Sequence, residues 1–356
     1  MTPLALALAQ RITHDGPLSV ATVMAEALGH PRHGYYKTRE PFGPAGDFVT
    51  APEISQMFGE LIGLWLGVVW LSLGAPARVV LAELGPGRGT LMADARRALA
   101  KVPGFPLENP VHLVETSRRL REIQAAAIAA PVIHHDDIAG LPANGPLLLV
   151  ANEFFDALPI RQFVWNGRAW HERVVGLEAA GGALGFGLAP VPARDGLPPH
   201  DGPKTGDVLE YSPAGVAIAG QLGQRLASQS GAALIIDYGT AHRGFADTLQ
   251  AVSRHRFADV LATLGEADLT AHVNFGHLAQ AAEGARAYGP VAQGGFLEAL
   301  GLEARAGRLA AARPDQAEAI AAARRRLTHP AEMGSLFKVL ALTGPAVPVP
   351  PVFGIP

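Results

Sequence analysis

The chain has 356 residues, 49% hydrophobic and 17% charged, enough to bury a sizeable core; the length fits about two domain units, or one α/β domain carrying an insertion. Lys and Arg number 29 against 32 Asp and Glu, a net charge of −3, which gives no global electrostatic reason to bind nucleic acid. No cysteine is present, so disulfides, thiolate zinc sites, cysteine nucleophiles and thiolate-held iron–sulfur clusters are excluded.

In chain order, Leu4 to Ile12 predicts an opening amphipathic helix. No basic region precedes it, no small-residue cleavage site follows, and Asp15 removes the acid-poor character of a transit peptide. A bacterial cytoplasmic location without membrane insertion is the expectation. Ser19 is placed to cap a helix running to Leu28. The loop from Gly29 to Glu53 is too long and too rich in Tyr, Phe and charge for a plain connector. The most apolar run, Leu61 to Gly74, falls short of the roughly 18 apolar residues of a membrane span. It reads as part of a buried helix from Ile54 to Leu73.

The pattern then switches to short apolar strands, each with a polar exit. Strands are predicted at Arg78–Leu84, Pro110–Val114, Pro146–Ala151 and Gly231–Ile236, with helices after the first two. Strands without alternation, separated by helices, predict an α/β fold with a doubly wound, mainly parallel, Rossmann-like sheet buried on both faces. Between the third and fourth strands, Asn166-Gly167 lies between two aromatic-containing runs and predicts a β-hairpin. A helix is expected over Pro213–Gln229. Beyond Gly239, helices are expected over Gly276–Ala287 and Ala312–Leu327, then a last strand within Leu336–Gly344. The Pro-rich tail should lie extended against the domain.

Chemistry concentrates at the strand exits. After the first strand, Glu83 precedes Gly85, Gly87 and Gly89, which open a helix and permit close backbone approach. The spacing is not that of a phosphate-binding P-loop, and Glu83 would repel a pyrophosphate; it suits a ligand with a cationic end. Glu115 ends the second strand, where a carboxylate can take ribose hydroxyls. Glu83, the glycines and Glu115 together describe an S-adenosyl-L-methionine site, with Asp136 or Asp137 beside the adenine. His134 and His135 are adjacent on a strand, so they point to opposite faces and predict no metal site. Asn152-Glu153-Phe154-Phe155-Asp156 follows the third long strand, and Asp237-Tyr238 follows the next. The first of these segments also has a weaker reading as a helix cap with a core Phe pair, and the second reads equally as a strand end with a turn.

GDFVTAPEISQMFGELIG, ELGPGRGTLM, NEFFDALP, IDYG, DLTAHVNF and MGSLFKVL together resemble the MidA family of mitochondrial complex I assembly methyltransferases and their bacterial relatives. The resemblance implies a class I methyltransferase fold with a seven-stranded sheet, S-adenosyl-L-methionine as cofactor and S-adenosyl-L-homocysteine as product. It also implies arginine methylation of a protein substrate, with a respiratory complex I subunit as partner. It divides the chain into an N-terminal helical and lid region, 1–75, and a cofactor-binding domain, 76–356. That domain would carry an insertion at about 160–205 and a second variable region at about 240–335. Gly85, Gly87, Gly89 and Glu115 fall on the cofactor site, and the segment from Asn152 falls beside the methyl group. Asp47, Phe48, Thr50, Pro52 and Glu53 would form a lid. Asn274 stands where the family usually has Asp.

Methyl transfer to arginine needs carboxylates that clamp a guanidinium and accept its proton. Glu153 and Asp156, with Asn152, are the expected catalytic residues, and Asp47 or Glu53 a second pair. Tyr35, Tyr36, Phe154 and Phe155 are expected to wall the cation, Asp237 and Tyr238 to complete the pocket, and His272 to be either catalytic or a polar residue beneath the lid. Three other readings stay open: an assembly factor that binds the cofactor with little turnover, a small-molecule methyltransferase, and a dinucleotide oxidoreductase. Nucleic-acid methylation is disfavoured, because Arg324-Arg325-Arg326 is the only dense basic run.

Overall fold

The computed structural model describes residues 1–38, 50–178, 182–193, 197–198, 200, 202–241, 244–253 and 256–354. The lid candidates Asp47 and Phe48 lie outside these residues. The contacts gather into two compact units, one of residues 1–48, 156–216 and 242–277, the other of residues 49–155, 217–241 and 278–356.

The second unit is built on helix α1 (Gln56–Ser72), strand β1 (Val80–Leu84), helix α2 (Thr90–Leu99), strand β2 (Val111–Val114), helix α3 (Arg118–Ala127) and strands β3 (Val132–His135), β4 (Leu147–Asn152), β5 (Gly231–Thr240), β6 (Arg286–Ala292) and β7 (Phe337–Thr343). Their order across the sheet is β6-β7-β5-β4-β1-β2-β3. Neighbours from β5 to β3 run parallel, while β7 is antiparallel to both β5 and β6. β1 and β4 carry no exposed residue, as expected of strands covered on both faces. The chain leaves β1 towards β2 on one side and returns to β4 on the other, which makes the carboxyl ends of β1 and β4 the switch point where such sheets bind ligands.

The apolar run Leu61 to Gly74 is accounted for by α1, which shares a core with Leu81, Leu91, Leu148 and Leu234. Gly59 and Gly63 let α2 cross closely, since a Cβ on Gly63 would meet the Ala95 carbonyl oxygen at 2.4 Å. Among the described residues no helix is long and apolar enough to cross a membrane. Because α1 is a core helix of this unit, the contacts group the chain differently from the expected division at residue 75, and the 240–335 region divides between the units near residue 277.

Two late expectations need correction. The helix expected over Gly276–Ala287 ends at Ala281 and gives way to β6, after Gly284 adopts φ +88°. The helix expected over Ala312–Leu327 is preceded by another, Leu302–Ala312, and begins only at Ala317, because Pro314 cannot continue an α-helix. The tail packs against the unit, where Pro351 accepts a hydrogen bond from the Trp65 indole (3.2 Å) and Phe353 meets Phe296, but residues 351–354 form a turn in place of the expected extended run.

The first unit has helices Pro3–Asp15 and Val20–Gly29 over a five-stranded sheet, in which Leu18–Ser19 pairs with Val174–Val175. Thr2 and Ser19 cap the helices with their hydroxyls. The predicted hairpin is present, pairing Trp165 with Trp170, and the Asn166 side chain accepts the N–H groups of Arg168 and Ala169. A three-stranded sheet, Gln250–Ser253 with Arg256–Ala258 and Asp268–Thr270, completes the unit.

Candidate functional site

At the carboxyl end of β1 the backbone turns through Gly85, Gly87 and Gly89, all at positive φ (59°, 52° and 84°), which favours glycine. At Gly85 glycine is required twice, because a Cβ would also lie 2.7 Å from the Phe154 ring. Gly89 is the N-cap of α2, so this turn presents the free N–H groups of a helix start.

Glu83 is 3% exposed, and its Oε2 finds no hydrogen-bond partner among the described residues. Burial raises its pKa from 4.5 to about 8, because the charged form loses its water. Asn152, 7% exposed at the end of the neighbouring β4, likewise has an unpartnered Oδ1. Two buried, unsatisfied oxygens at a switch point fit a ligand that brings hydrogen-bond donors, including an ammonium group. The amino-acid end of S-adenosyl-L-methionine meets that description.

Glu115 follows β2. Its Oε1 accepts the Ser117 N–H (2.7 Å) and its Oε2 the amide of Gln124 (3.3 Å). The Arg121 guanidinium donates to the Glu115 carbonyl through Nε (2.7 Å) and Nη2, to the His135 carbonyl (3.2 Å) and to Asp136 (2.6 Å). It thereby ties together the ends of β2 and β3. The exposed Asp136 is thus the partner of Arg121, and Asp137 caps a short turn by accepting the Gly140 N–H (3.0 Å).

The segment after β4 has a backbone that the sequence did not reveal. Glu153 adopts φ 49°, the left-handed region that a Glu rarely enters. The fully buried Asp237 accepts the N–H groups of Phe154 (3.2 Å), Phe155 (3.0 Å) and Tyr238 (2.9 Å), so it clamps the turn. The Glu153 carboxylate accepts the Ala51 N–H (3.0 Å) and the Asn152 amide (3.1 Å), both at Oε1. Phe154 and Phe155 meet edge-on at 5.3 Å, and Phe155 is buried. Of the expected lid, Thr50 is buried, Pro52 lies in a short helix, Ala51–Ile54, and Glu53 accepts the Thr90 hydroxyl at the start of α2 (2.5 Å). The structure therefore brings together Thr50–Glu53, the glycine turn and Asn152–Phe155.

In the first unit, Tyr35 is fully buried in the core with Leu4 and Met24, and Tyr36 donates to Asp268 (3.0 Å). Burial, followed by the charges of Asp268 and Asp156, pushes the Tyr36 hydroxyl well above its ordinary pKa. Asp156 is 7% exposed. The His272 N–H donates to Thr248 (2.8 Å), and the Asn274 side chain accepts the His277 N–H (3.1 Å), capping the helix Phe275–Ala281.

Sequence reasoning missed Gln124, Ser117, Arg121 and Asp268. Gln124 left a signal: with Leu120 and Ile128 it recurs every fourth residue, which places a polar side chain on the inward face of α3.

The fold and this site define an S-adenosyl-L-methionine-dependent methyltransferase, and the sheet is consistent with the class I fold of such enzymes. Residues 61–291 match the family described as "Putative S-adenosyl-L-methionine-dependent methyltransferase", and the chain belongs to that MidA-like family. It is 38% identical to "Protein arginine methyltransferase NDUFAF7, mitochondrial" of Mus musculus, over 96% of this chain and 84% of that protein. It is 36% identical to the protein of the same name from Homo sapiens, over 96% and 83%. A COG1565 superfamily member from Burkholderia thailandensis, solved bound to S-adenosyl-homocysteine, superposes with a TM-score of 0.81 at 32% identity, over 96% of this chain and 91% of that one.

Proposed function

We propose that the chain is a protein arginine N-methyltransferase whose substrate is a subunit of respiratory complex I, as its resemblance to the MidA family implies. The observation that carries this reading is the Glu153 carboxylate, fixed by the Ala51 N–H and the Asn152 amide at the switch point of the sheet. The curated relatives are named as protein arginine methyltransferases. S-adenosyl-L-methionine supplies an electrophilic methyl group. Glu83 and Asn152 hold its amino-acid end, the glycine turn admits it closely, and Glu115 takes the ribose hydroxyls. A guanidinium is a poor nucleophile because its charge is delocalised and its pKa exceeds about 12. The Glu153 carboxylate clamps it, orients one nitrogen and accepts the proton released, while Phe154 excludes water. The chain acts in the compartment where its substrate subunit is made, the cytoplasm of a bacterium.

The test is incubation with methyl-labelled S-adenosyl-L-methionine and an arginine-containing complex I subunit, followed by hydrolysis and amino-acid analysis. Label is expected in N-methylarginine. Label in another amino acid overturns the arginine assignment, and label in a small metabolite supports the small-molecule reading instead.

A further inference from the structure

The one fully buried polar residue of α3, Gln124, bridges two parts of the cofactor site that the sequence treats as separate. Its Nε2 donates to the Gly87 carbonyl of the glycine turn (2.8 Å) and to Glu115 Oε2 (3.3 Å), and its Oε1 faces His134 Nε2 at 2.9 Å. Since Nε2 points at two acceptors, Oε1 must accept, so the hydrogen on the His134 ring resides on Nε2. Burial, with Arg121 and His135 nearby, lowers the His134 pKa. The result is a one-way chain of donation, from His134 through Gln124 to the glycine turn and the ribose carboxylate.

We propose that Gln124, oriented by His134, is a positioning residue that sets Glu115 and the glycine turn in register for the cofactor. This rests on the placement of the cofactor given above. A buried amide with every group satisfied holds one geometry, whereas an apolar isostere leaves the Gly87 carbonyl and Glu115 to find water.

The test is calorimetric titration with S-adenosyl-L-homocysteine of the full chain, as wild type, Gln124→Met, Glu115→Gln and the double variant. Each single substitution is expected to weaken binding about tenfold, and the double variant by clearly less than the roughly hundredfold product, because part of the effect of Gln124 runs through Glu115. Multiplying penalties, or unchanged binding in Gln124→Met, overturn the proposal. If Glu115→Gln itself binds as wild type, the placement of the ribose is wrong and the proposal falls with it. Should Gln124→Met fail to fold, histidine-selective 15N spectra of the wild type decide. The Nε2–H tautomer of His134 is expected, and the Nδ1–H tautomer contradicts the chain of donation.

Discussion

Glu83 carries a pH dependence of defined sign. In the folded protein its pKa lies near 8 against 4.5 in the unfolded chain, so between those values the folded state keeps a proton that the unfolded state has lost. Stability without cofactor should therefore fall as pH rises through this window, at up to about 1.4 kcal/mol per pH unit from this group. Glu83→Gln should flatten that slope in denaturant titrations at pH 5 to 8; an unchanged slope would contradict the burial argument. An ammonium against Glu83 restores the ionised form, so S-adenosyl-L-homocysteine should raise the melting temperature more at pH 8 than at pH 6. Asn274 makes the opposite kind of prediction. Since its side chain caps a helix, Asn274→Asp should change stability by only a few tenths of a kcal/mol, while Asn274→Ala should cost about 1 kcal/mol. A loss with Asp as large as with Ala would show that more than the cap is at stake. The glycine turn, Glu83 and Glu115 were legible as residues because each stands at a strand exit. The left-handed Glu153 and the role of Asp237 as a backbone clamp were not, since both depend on how β4 and β5 end beside one another.

At the scale of elements, α1 and α2 are joined by a close crossing that glycine permits. Gly63→Ala would press a methyl against the Ala95 backbone and should lower stability by about 1–3 kcal/mol. Gly307 is the control: it is exposed, inside the helix Leu302–Ala312, with open space at its Cβ. Gly307→Ala should stabilise by about 1 kcal/mol through helix propensity alone. Thermal denaturation of the two variants should shift in opposite directions, and equal shifts would contradict the packing account. The strands of the parallel sheet were readable because burial on both faces writes continuous apolar runs, as in Leu147–Ala151. β6 was not, since Arg286–Ala292 is mostly polar or exposed and takes its place only by pairing with β7.

For the whole molecule, the sequence anticipated an α/β sheet with appended regions but not which regions belong together. Leu18 and Val175 are partners in one sheet although more than a hundred residues separate them, and no local pattern encodes such a pairing. In the proposed reaction, Glu83, Asn152, the glycine turn, Glu115 and Gln124 hold the cofactor, and Glu153 presents the acceptor. The measurement that tests this most directly compares wild type and Glu153→Gln in one preparation, for S-adenosyl-L-homocysteine affinity and for methyl transfer to a substrate arginine. The account predicts affinity within a few-fold of wild type and transfer slower by about 100-fold or more. Transfer at the wild-type rate, or loss of transfer and affinity together, would contradict it.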